Sequence, residues 1–215
     1  MPSSVLRGRR VLITSGPTRE PLDPIRFLSN ASSGAMGFAL AAAARALGAR
    51  VTVISGPTVL SAPRGVSVVP VVTALQMRRE TLKRSRSASL VIGAAAVSDW
   101  RFVSVAKHKI KRRPGLLRLT VVPNPDIIRD AASLRRPGQV FVGFALETRR
   151  AEANARAKLV SKGLDLVVAN GPADLASGRA RAALVTRESV RRIPEGSKAR
   201  VARAIVNAAV RLIER

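Results

Sequence analysis

Residues 11–54, VLITSGPTREPLDPIRFLSNASSGAMGFALAAAARALGARVTVI, contain the first structural unit that the sequence predicts. Val11–Thr14 is a short β-branched run that ends at a Gly-Pro turn, and Val51–Ile54 is a second run of the same kind. Between them, Ala and Leu dominate from Ser33 to Leu47, and Gly48 stands where a helix would stop. Two buried strands joined through a helix predict a right-handed crossover and a parallel sheet.

The alternation of strands and helices continues along the chain. Further strands are predicted at Ser67–Val72, Leu90–Ala95, Val140–Ala145 and Leu166–Ala169, with helices from Ala74 to about Arg86, after Asn124-Pro125-Asp126 and at Glu147–Lys162. A late hairpin of Ala182–Thr186 with Ser189–Ile193 and a closing helix at Lys198–Arg215 complete the pattern. The predicted fold class is α/β, a Rossmann-like doubly wound and mostly parallel sheet, and we expect residues 1–215 to form one domain.

Two segments interrupt this alternation. Residues 17–29 contain three prolines and cannot form one helix, which predicts a long, irregular connection. Leu116–Val122 alternates in character after a Pro-Gly turn, which predicts a strand paired with the segment before it. We therefore expect a flap or hairpin insertion around residues 100–122.

Small and polar residues follow the predicted strands at their carboxyl ends. Ser15-Gly16 follows the first strand, Ser55-Gly56 the second and Ala96–Asp99 the fourth. Ligands of parallel α/β sheets bind at this edge, where Asp99 would accept hydrogen bonds from ribose hydroxyls or cap a turn. The first loop does not match the dinucleotide fingerprint G-x-G-x-x-G, and the chain has no P-loop motif. The loops are compatible with a phosphate-bearing ligand, with ordinary turn chemistry as the alternative.

The segment SNASSGAMG, residues 29–37, spans the predicted start of the first helix. Asn30, Ser32 and Ser33 together provide more polar side chains than one N-cap requires. Such a surplus at the positive end of a helix is typical of an anion site, although Ser, Asn and Gly also form ordinary loops.

Two groups of lysines share a face. Lys107, Lys109 and Lys111 occupy alternate positions, which puts them on one side of an extended segment. Lys158 and Lys162 are four residues apart and therefore share one helix face. Lysine ammonium groups suit phosphate ligands, and a solvated face is the alternative for either group.

The composition argues against several classes of protein. The chain has no cysteine and a single histidine, so a disulfide framework, a thiolate metal site and a histidine relay are not expected. The net charge of +25 suits nucleic acid, an anionic membrane surface or acidic small molecules. The basic residues are spread along the chain, however, and with one Trp, five Phe and no Tyr there are few side chains for stacking bases. No secretion signal or membrane-spanning run is visible, so we expect a cytoplasmic protein without membrane contact and disfavour nucleic acid as its partner.

Several motifs together resemble a known family. They are SGPTREPLDPIRFLSNASSGAMGFALA, AAAVSDWR, KHKIKR, NPDII, VGFALET and KLVSKGLDLVVAN. In order and spacing they resemble the bacterial phosphopantothenate-cysteine ligase, the synthetase domain often fused to a decarboxylase in coenzyme A biosynthesis. The resemblance covers about residues 9–213 and includes no decarboxylase half. It implies that a homodimer joins 4'-phosphopantothenate to L-cysteine with CTP and Mg²⁺, through an acyl-cytidylate intermediate.

The resemblance also implies roles for individual residues. Lys109 would contact the CTP phosphates and complete the reaction, and Asn30 would engage the acyl intermediate. The nucleotide-binding residues expected from the resemblance and from the first loop are Ser15, Gly16, Asp99, Lys109, Asn124, Pro125, Asp126, Ile127, Phe144, Lys158 and Lys162. The residues expected near the acyl substrate are Asn30, Ser32, Ser33, Gly34 and Ala95. The triphosphate and water would hold Mg²⁺, so no dedicated metal-binding residue is expected.

The chain departs from the family pattern in three places. Ala35 stands where the family usually has lysine, and Gly171 replaces a usual acidic residue. The late loop, usually rich in Asp and Asn, reads ASGRAR at residues 176–181. In the family this region helps to form the dimer or covers the pantothenate pocket, so substrate affinity and oligomeric state are the properties that we expect these changes to affect.

Two other functions are compatible with the sequence. The first is a nicotinamide-dependent oxidoreductase on the same fold, against which the missing glycine fingerprint counts. The second is a nucleic-acid-binding module that relies on the net positive charge.

Overall fold

The computed structural model describes residues 5–112, 114–147, 149–171 and 178–214. The strands are β1 (Arg10–Ser15), β2 (Arg19–Pro21), β3 (Phe27–Ser29), β4 (Arg50–Ser55), β5 (Ser67–Pro70), β6 (Leu90–Gly93), β7 (Trp100–Phe102), β8 (Val121–Pro123), β9 (Val140–Leu146), β10 (Leu166–Asn170), β11 (Arg179–Val185) and β12 (Val190–Ser197). The helices are α1 (Ala35–Ala46), α2 (Ala74–Ser85), α3 (Ile127–Ser133), α4 (Ala151–Ser161) and α5 (Lys198–Ile213).

Eight strands form the central sheet, in the order β12-β11-β10-β9-β6-β1-β4-β5. Six of them, from β10 to β5 in this order, are parallel, and β11 and β12 add an antiparallel edge. The chain enters at β1, extends the sheet through β4 and β5, and returns to β6 on the other side of β1. The strand order therefore reverses between β1 and β6, and this reversal opens a crevice at their carboxyl ends.

Helices cover both faces of the sheet. On one face, α1 and α5 pack against apolar residues such as Ile13 and Val142. On the other face, α2, α3 and α4 pack against residues such as Leu12 and Phe141. The central strands are buried on both sides, which explains their nearly continuous apolar sequences. The predicted doubly wound fold is confirmed.

Two interrupting segments differ in detail from their prediction. Residues 17–29 are not irregular throughout, because β2 and β3 form an antiparallel hairpin with Arg19 opposite Ser29. The insertion is a hairpin only at its base, where Trp100 of β7 lies opposite Pro123 of β8. Residues 116–120, which were predicted to belong to the second strand, lie outside it.

The predicted lysine face at residues 107–111 is wrong in its geometry. The backbone bends at residues 107 and 108 and forms no strand there. The physical reason is that this backbone bonds to the turn between β2 and β3 instead of to a neighbouring strand. The amide of Ala106 donates to the carbonyl oxygen of Leu22 at 3.0 Å, and Ile110 is bonded to the same turn.

Candidate active site

Glycines bring the loop after β1 against the start of α1. The hydroxyl of Ser15 donates to the carbonyl oxygen of Gly34 at 3.0 Å. Gly16 and Gly34 have φ angles of +75° and +79°, which residues other than glycine rarely adopt because of their Cβ atom. A Cβ on Gly34 would lie 3.2 Å from the Cα of Gly16. The structure thus brings together three of the residues that were expected to bind ligand, and their binding role stays a prediction.

Ser32 and Ser33 lie immediately before α1. Their hydroxyl oxygens accept hydrogen bonds from the amides of Gly34 and Ala35, at 3.3 and 3.4 Å. The helix begins at Ala35, and its N-cap is Gly34, which has no side chain to cap the first turn. The amides that follow Ala35 therefore remain suited to an anionic ligand.

Asn30 joins this helix start to the loop after β6. Its Nδ2 donates to the carbonyl oxygens of Ala96 and Val97, at 3.2 and 3.0 Å. Ala95, which directly precedes Ala96, donates from its amide to Oγ1 of Thr14 at the end of β1. Asn30 and Ala95 therefore lie at the crevice between β1 and β6, and the side-chain oxygen of Asn30 is the atom that remains for a substrate.

Asn124 connects the loop after β6 to the segment before α3. Its Nδ2 donates to the carbonyl oxygen of Ser98 at 2.9 Å, and its amide donates to the carbonyl oxygen of Asp99 at 2.8 Å. The exposed Asp99 carboxylate makes no hydrogen bond or ion pair with another residue in the described part of the chain. Asn124 thus orders the backbone, while Asp99 retains a carboxylate for a ligand.

Two carboxylates hold the two lysines that were predicted on α4 and at its end. Asp126 forms an ion pair with Lys162, with 2.8 Å between Oδ2 and Nζ, and also caps α3 through the amide of Arg129. Glu147 accepts from Lys158 at 2.9 Å and from Nδ2 of Asn154 at 2.8 Å. The Lys158 ammonium and the Asn154 amide hold the pKa of the Glu147 carboxyl below its usual value. The Lys158 ammonium is therefore fixed beside the carboxyl end of β9, and the Lys162 ammonium beside the start of α3.

The remaining predicted residues differ in their exposure. Phe144 is half-buried on β9, where it lies beside Val168 of β10. Ile127 is only 6% exposed and packs in the core, so a nucleotide could contact little besides its backbone. Pro125 is half-buried in the loop before α3.

Lys109 stands apart from the other predicted residues. It is exposed, and its ammonium group makes no hydrogen bond or ion pair in the part of the chain that the structure describes. Its neighbour Ile110 is bonded to Asp23 at the turn between β2 and β3. A bound polyphosphate would supply the missing partner for this free cation.

Sequence reasoning missed three residues that organise the site. Thr18 is fully buried, and its Oγ1 accepts from the amide of Ser98 at 2.9 Å. Asp23 holds the turn between β2 and β3, and Glu147 holds Lys158. Only Asp23 carried a usable signal. An Asp side chain in a turn commonly accepts a hydrogen bond from the backbone amide two or three residues later, which forms an Asx turn.

Within the described residues, no group of three or more His, Asp or Glu side chains is arranged to hold a metal ion. None of the helices in those same residues is long and apolar enough to cross a bilayer. Residues 176 and 177 of the late loop, in which the sequence departs from the family, lie outside the described part of the chain.

The fold and the polar edge define a Rossmann-like α/β protein with a candidate ligand site at its topological switch point. A family model described as the DNA/pantothenate metabolism flavoprotein C-terminal domain matches residues 6–212, and the chain belongs to this family. The family resemblance noted in the sequence is thereby confirmed.

Particular relatives agree with this assignment. The chain is 49% identical over 168 residues to the coenzyme A biosynthesis bifunctional protein CoaBC of Vibrio cholerae, an alignment covering 77% of the chain and 42% of that protein. The solved C-terminal domain of a CoaBC protein is 33% identical with a TM-score of 0.85, and the match covers 99% of both chains. A Cab2 mutant in complex with phosphopantothenate-cysteine shares the fold, with a TM-score of 0.77, 20% identity and coverage of 98% of this chain and 88% of that one. The chain spans about two fifths of the length of the full bifunctional relative.

Proposed function

We propose that the chain is a phosphopantothenate-cysteine ligase whose residues 1–215 form one CTP-binding domain. One observation carries the proposal most directly: motifs far apart in sequence meet at the crevice between β1 and β6. Asn30 of SNASSG bonds to Ala96 and Val97 of AAAVSDWR, and Asn124 of NPDII bonds to Ser98. The role of the CoaBC relatives in coenzyme A biosynthesis and the phosphopantothenate-cysteine ligand of the Cab2 complex support the same substrate class.

The proposed reaction has two steps. The carboxylate of 4'-phosphopantothenate attacks the α-phosphorus of CTP, which forms an acyl-cytidylate and releases pyrophosphate. The amine of L-cysteine then attacks the acyl carbon, the amide bond forms and CMP leaves. Such chemistry needs positioning and charge neutralisation more than a catalytic acid-base pair, and this suits a site without histidine.

The residues of the crevice divide this work in the proposal. The free ammonium of Lys109 neutralises phosphate charge, while Lys158 and Lys162 contribute fixed positive charge beside their carboxylate partners. The side-chain oxygen of Asn30 orients the activated acyl group, and the first turn of α1 receives an anionic group. When it is bound, Mg²⁺ supplies further charge neutralisation. Mg²⁺ prefers oxygen ligands, which the phosphates and water would provide, and Asp99 lies within the same crevice.

The first experiment is the reaction itself. The protein is incubated with CTP, Mg²⁺ and 4'-phosphopantothenate, with and without L-cysteine, and pyrophosphate and CMP are quantified. We expect pyrophosphate in both mixtures and CMP release that depends on cysteine. Absence of both products would contradict the ligase assignment, and replacement of CTP by ATP tests the nucleotide preference.

Lys109→Gln tests the division of labour. Because the proposal has Lys109 complete the reaction, the variant should still form the acyl-cytidylate but convert it slowly, so the intermediate accumulates in quenched samples. Lys83→Gln on α2 is the control, since Lys83 is equally exposed but lies at the end of α2 near the amino ends of the strands. Wild-type turnover by Lys109→Gln would remove Lys109 from the mechanism.

The proposal also includes a homodimer located in the cytoplasm. Large apolar side chains are exposed on the β2-β3 hairpin and in the insertion, among them Phe27, Leu28 and Leu117. Exposed apolar surface of this kind is typical of an interface. Light scattering after size exclusion tests the dimer, and a monomer at assay concentration would contradict it.

A further inference from the structure

Asp23 is a carboxylate whose hydrogen-bonding capacity is fully used at the turn between β2 and β3. Its side chain is 0% exposed. Oδ1 accepts from the amides of Ile25 and Arg26, at 2.9 and 2.8 Å. Oδ2 accepts from Nε and Nη2 of Arg26, at 3.0 and 2.5 Å, and from the amide of Ile110 at 3.1 Å. The last of these bonds joins residues that are 87 positions apart.

Ile110 is held on both sides of its peptide unit. While its amide donates to Asp23, its carbonyl oxygen accepts from Nη2 of Arg26 at 2.8 Å. A further attachment, from the amide of Ala106 to the carbonyl oxygen of Leu22, lies four residues earlier. Lys109 sits between these attachment points, adjacent to Ile110. Apart from these bonds the segment is exposed loop, so the β2-β3 turn determines where the Lys109 backbone lies.

We propose that Asp23 is a positioning residue for Lys109, acting through Arg26 and the peptide of Ile110 to hold the lysine segment against the turn between β2 and β3. The inference rests on the proposed ligase function for its kinetic consequence but not for its structural one. The Arg26 guanidinium, followed by the amides of Arg26, Ile25 and Ile110, holds the pKa of the Asp23 carboxyl well below its usual range. The group is therefore a constant anion, and its role is that of a fixed acceptor.

Asp23→Asn is the direct test because it preserves shape but replaces one acceptor oxygen by a donor. That NH₂ group would face Arg26 or the Ile110 amide without a bond to make, which releases the segment. We expect trypsin to cleave faster after Lys107, Lys109 or Lys111, as measured by mass spectrometry. In single-turnover experiments, CMP release should slow by about 10- to 100-fold while acyl-cytidylate formation changes much less, as expected for a misplaced catalytic group.

Glu20→Gln is the matched control. Glu20 lies on the same hairpin, is 2% exposed, and accepts from the amide of Ala74 at 2.9 Å, away from the lysine segment. We expect this variant to keep the wild-type cleavage pattern and the wild-type ratio of the two half-reactions, whatever its stability.

Two results would overturn the proposal. The first is that Asp23→Asn keeps both the wild-type cleavage pattern and the wild-type ratio of the two half-reactions. The second is that Asp23→Asn slows both half-reactions equally and that Glu20→Gln does the same. If Asp23→Asn does not fold, Ile110→Pro removes the donated N–H while leaving Asp23 and Arg26 in place, with cleavage after Lys107 and Lys111 and the same kinetic ratio as its readouts. A wild type without ligase activity would refute the proposed function but leave the cleavage test of the attachment intact.

Discussion

At the scale of single residues, Gly37 shows how closely α1 approaches β1. A Cβ at this position would lie 2.1 Å from Oγ and 2.4 Å from Cβ of Ser15. In the sequence Gly37 was only an interruption in a helix-forming run, with no sign of a contact. Its absent side chain lets the start of α1 pack against Ser15, next to the loop that contains Gly16.

Gly37→Ala should destabilise the protein despite the higher helix propensity of alanine. The added methyl group would force Ser15 or α1 to move, and overpacking of this kind costs about 1–3 kcal/mol. Urea denaturation measures the loss, and weaker CTP binding should accompany it because Ser15 would shift. Gly178→Ala, with no atom within 4 Å of the added Cβ, is the control. Equal stability of both variants would show that the close packing is not required.

Glu147 gives a pH-dependent prediction at the same scale. Its folded pKa lies below the usual 4.5, so its ion pair stabilises the protein fully above about pH 4.5 and is lost as the pH falls through the folded pKa. Glu147→Gln should therefore be less stable than wild type near pH 7, with a difference that shrinks in acid. Urea midpoints between pH 3 and 7 measure it.

Glu214→Gln is the control for that series. Glu214 lies at the exposed end of α5 and makes no ion pair with the rest of the described chain. Its difference from wild type should stay small at every pH. A constant difference for Glu147→Gln down to pH 3 would contradict the assigned role of the Lys158 pair.

At the scale of elements, α2 shows a helix start that the sequence encodes completely. Thr73 stands directly before the predicted helix, and the structure shows a reciprocal capping box in which Gln76 accepts from the Thr73 amide at 3.1 Å. The start of α1 could not be read in this way, because Gly34 serves as its N-cap through backbone conformation alone. A cap formed by a side chain can be predicted from the sequence, whereas a cap formed by a left-handed backbone conformation cannot.

Thr73→Ala should lower the free energy of unfolding by about 1 kcal/mol, the usual cost of losing an N-cap. The hydroxyl oxygen that accepts from the Gln76 amide would be gone. Thr73→Ser retains this oxygen and should remain close to wild type in urea denaturation. Equal losses in the two variants would attribute the effect to the methyl group instead of the cap.

At the scale of the whole molecule, the net charge of +25 competes with the ligase assignment as an explanation of function. Several acidic residues are paired with arginine or lysine, and the excess of basic residues is spread over the chain. The charge alone predicts a general attraction to anions, while the crevice between β1 and β6 predicts one particular ligand.

CTP with Mg²⁺ should raise the melting temperature, whereas NADPH should not. Preferential binding to the folded state stabilises by about 2.7 kcal/mol at a hundred times the dissociation constant. Differential scanning fluorimetry measures both ligands. Stabilisation by NADPH alone would favour the oxidoreductase alternative, and duplex binding with a steep salt dependence but no CTP effect would favour the nucleic-acid alternative.

The sequence alone determined the alternation of strands and helices and the edge at which we expect a ligand to bind, because apolar runs, caps and turn residues act locally. It also carried the family motifs. Only the tertiary structure decided which motifs meet, as with Asn30 and Ala96, or Asp126 and Lys162. It also decided that Lys109 is placed by Asp23 and not by a strand. These contacts join residues tens of positions apart, and since a hydrogen bond depends on distance and angle in space, no local pattern in the chain specifies it.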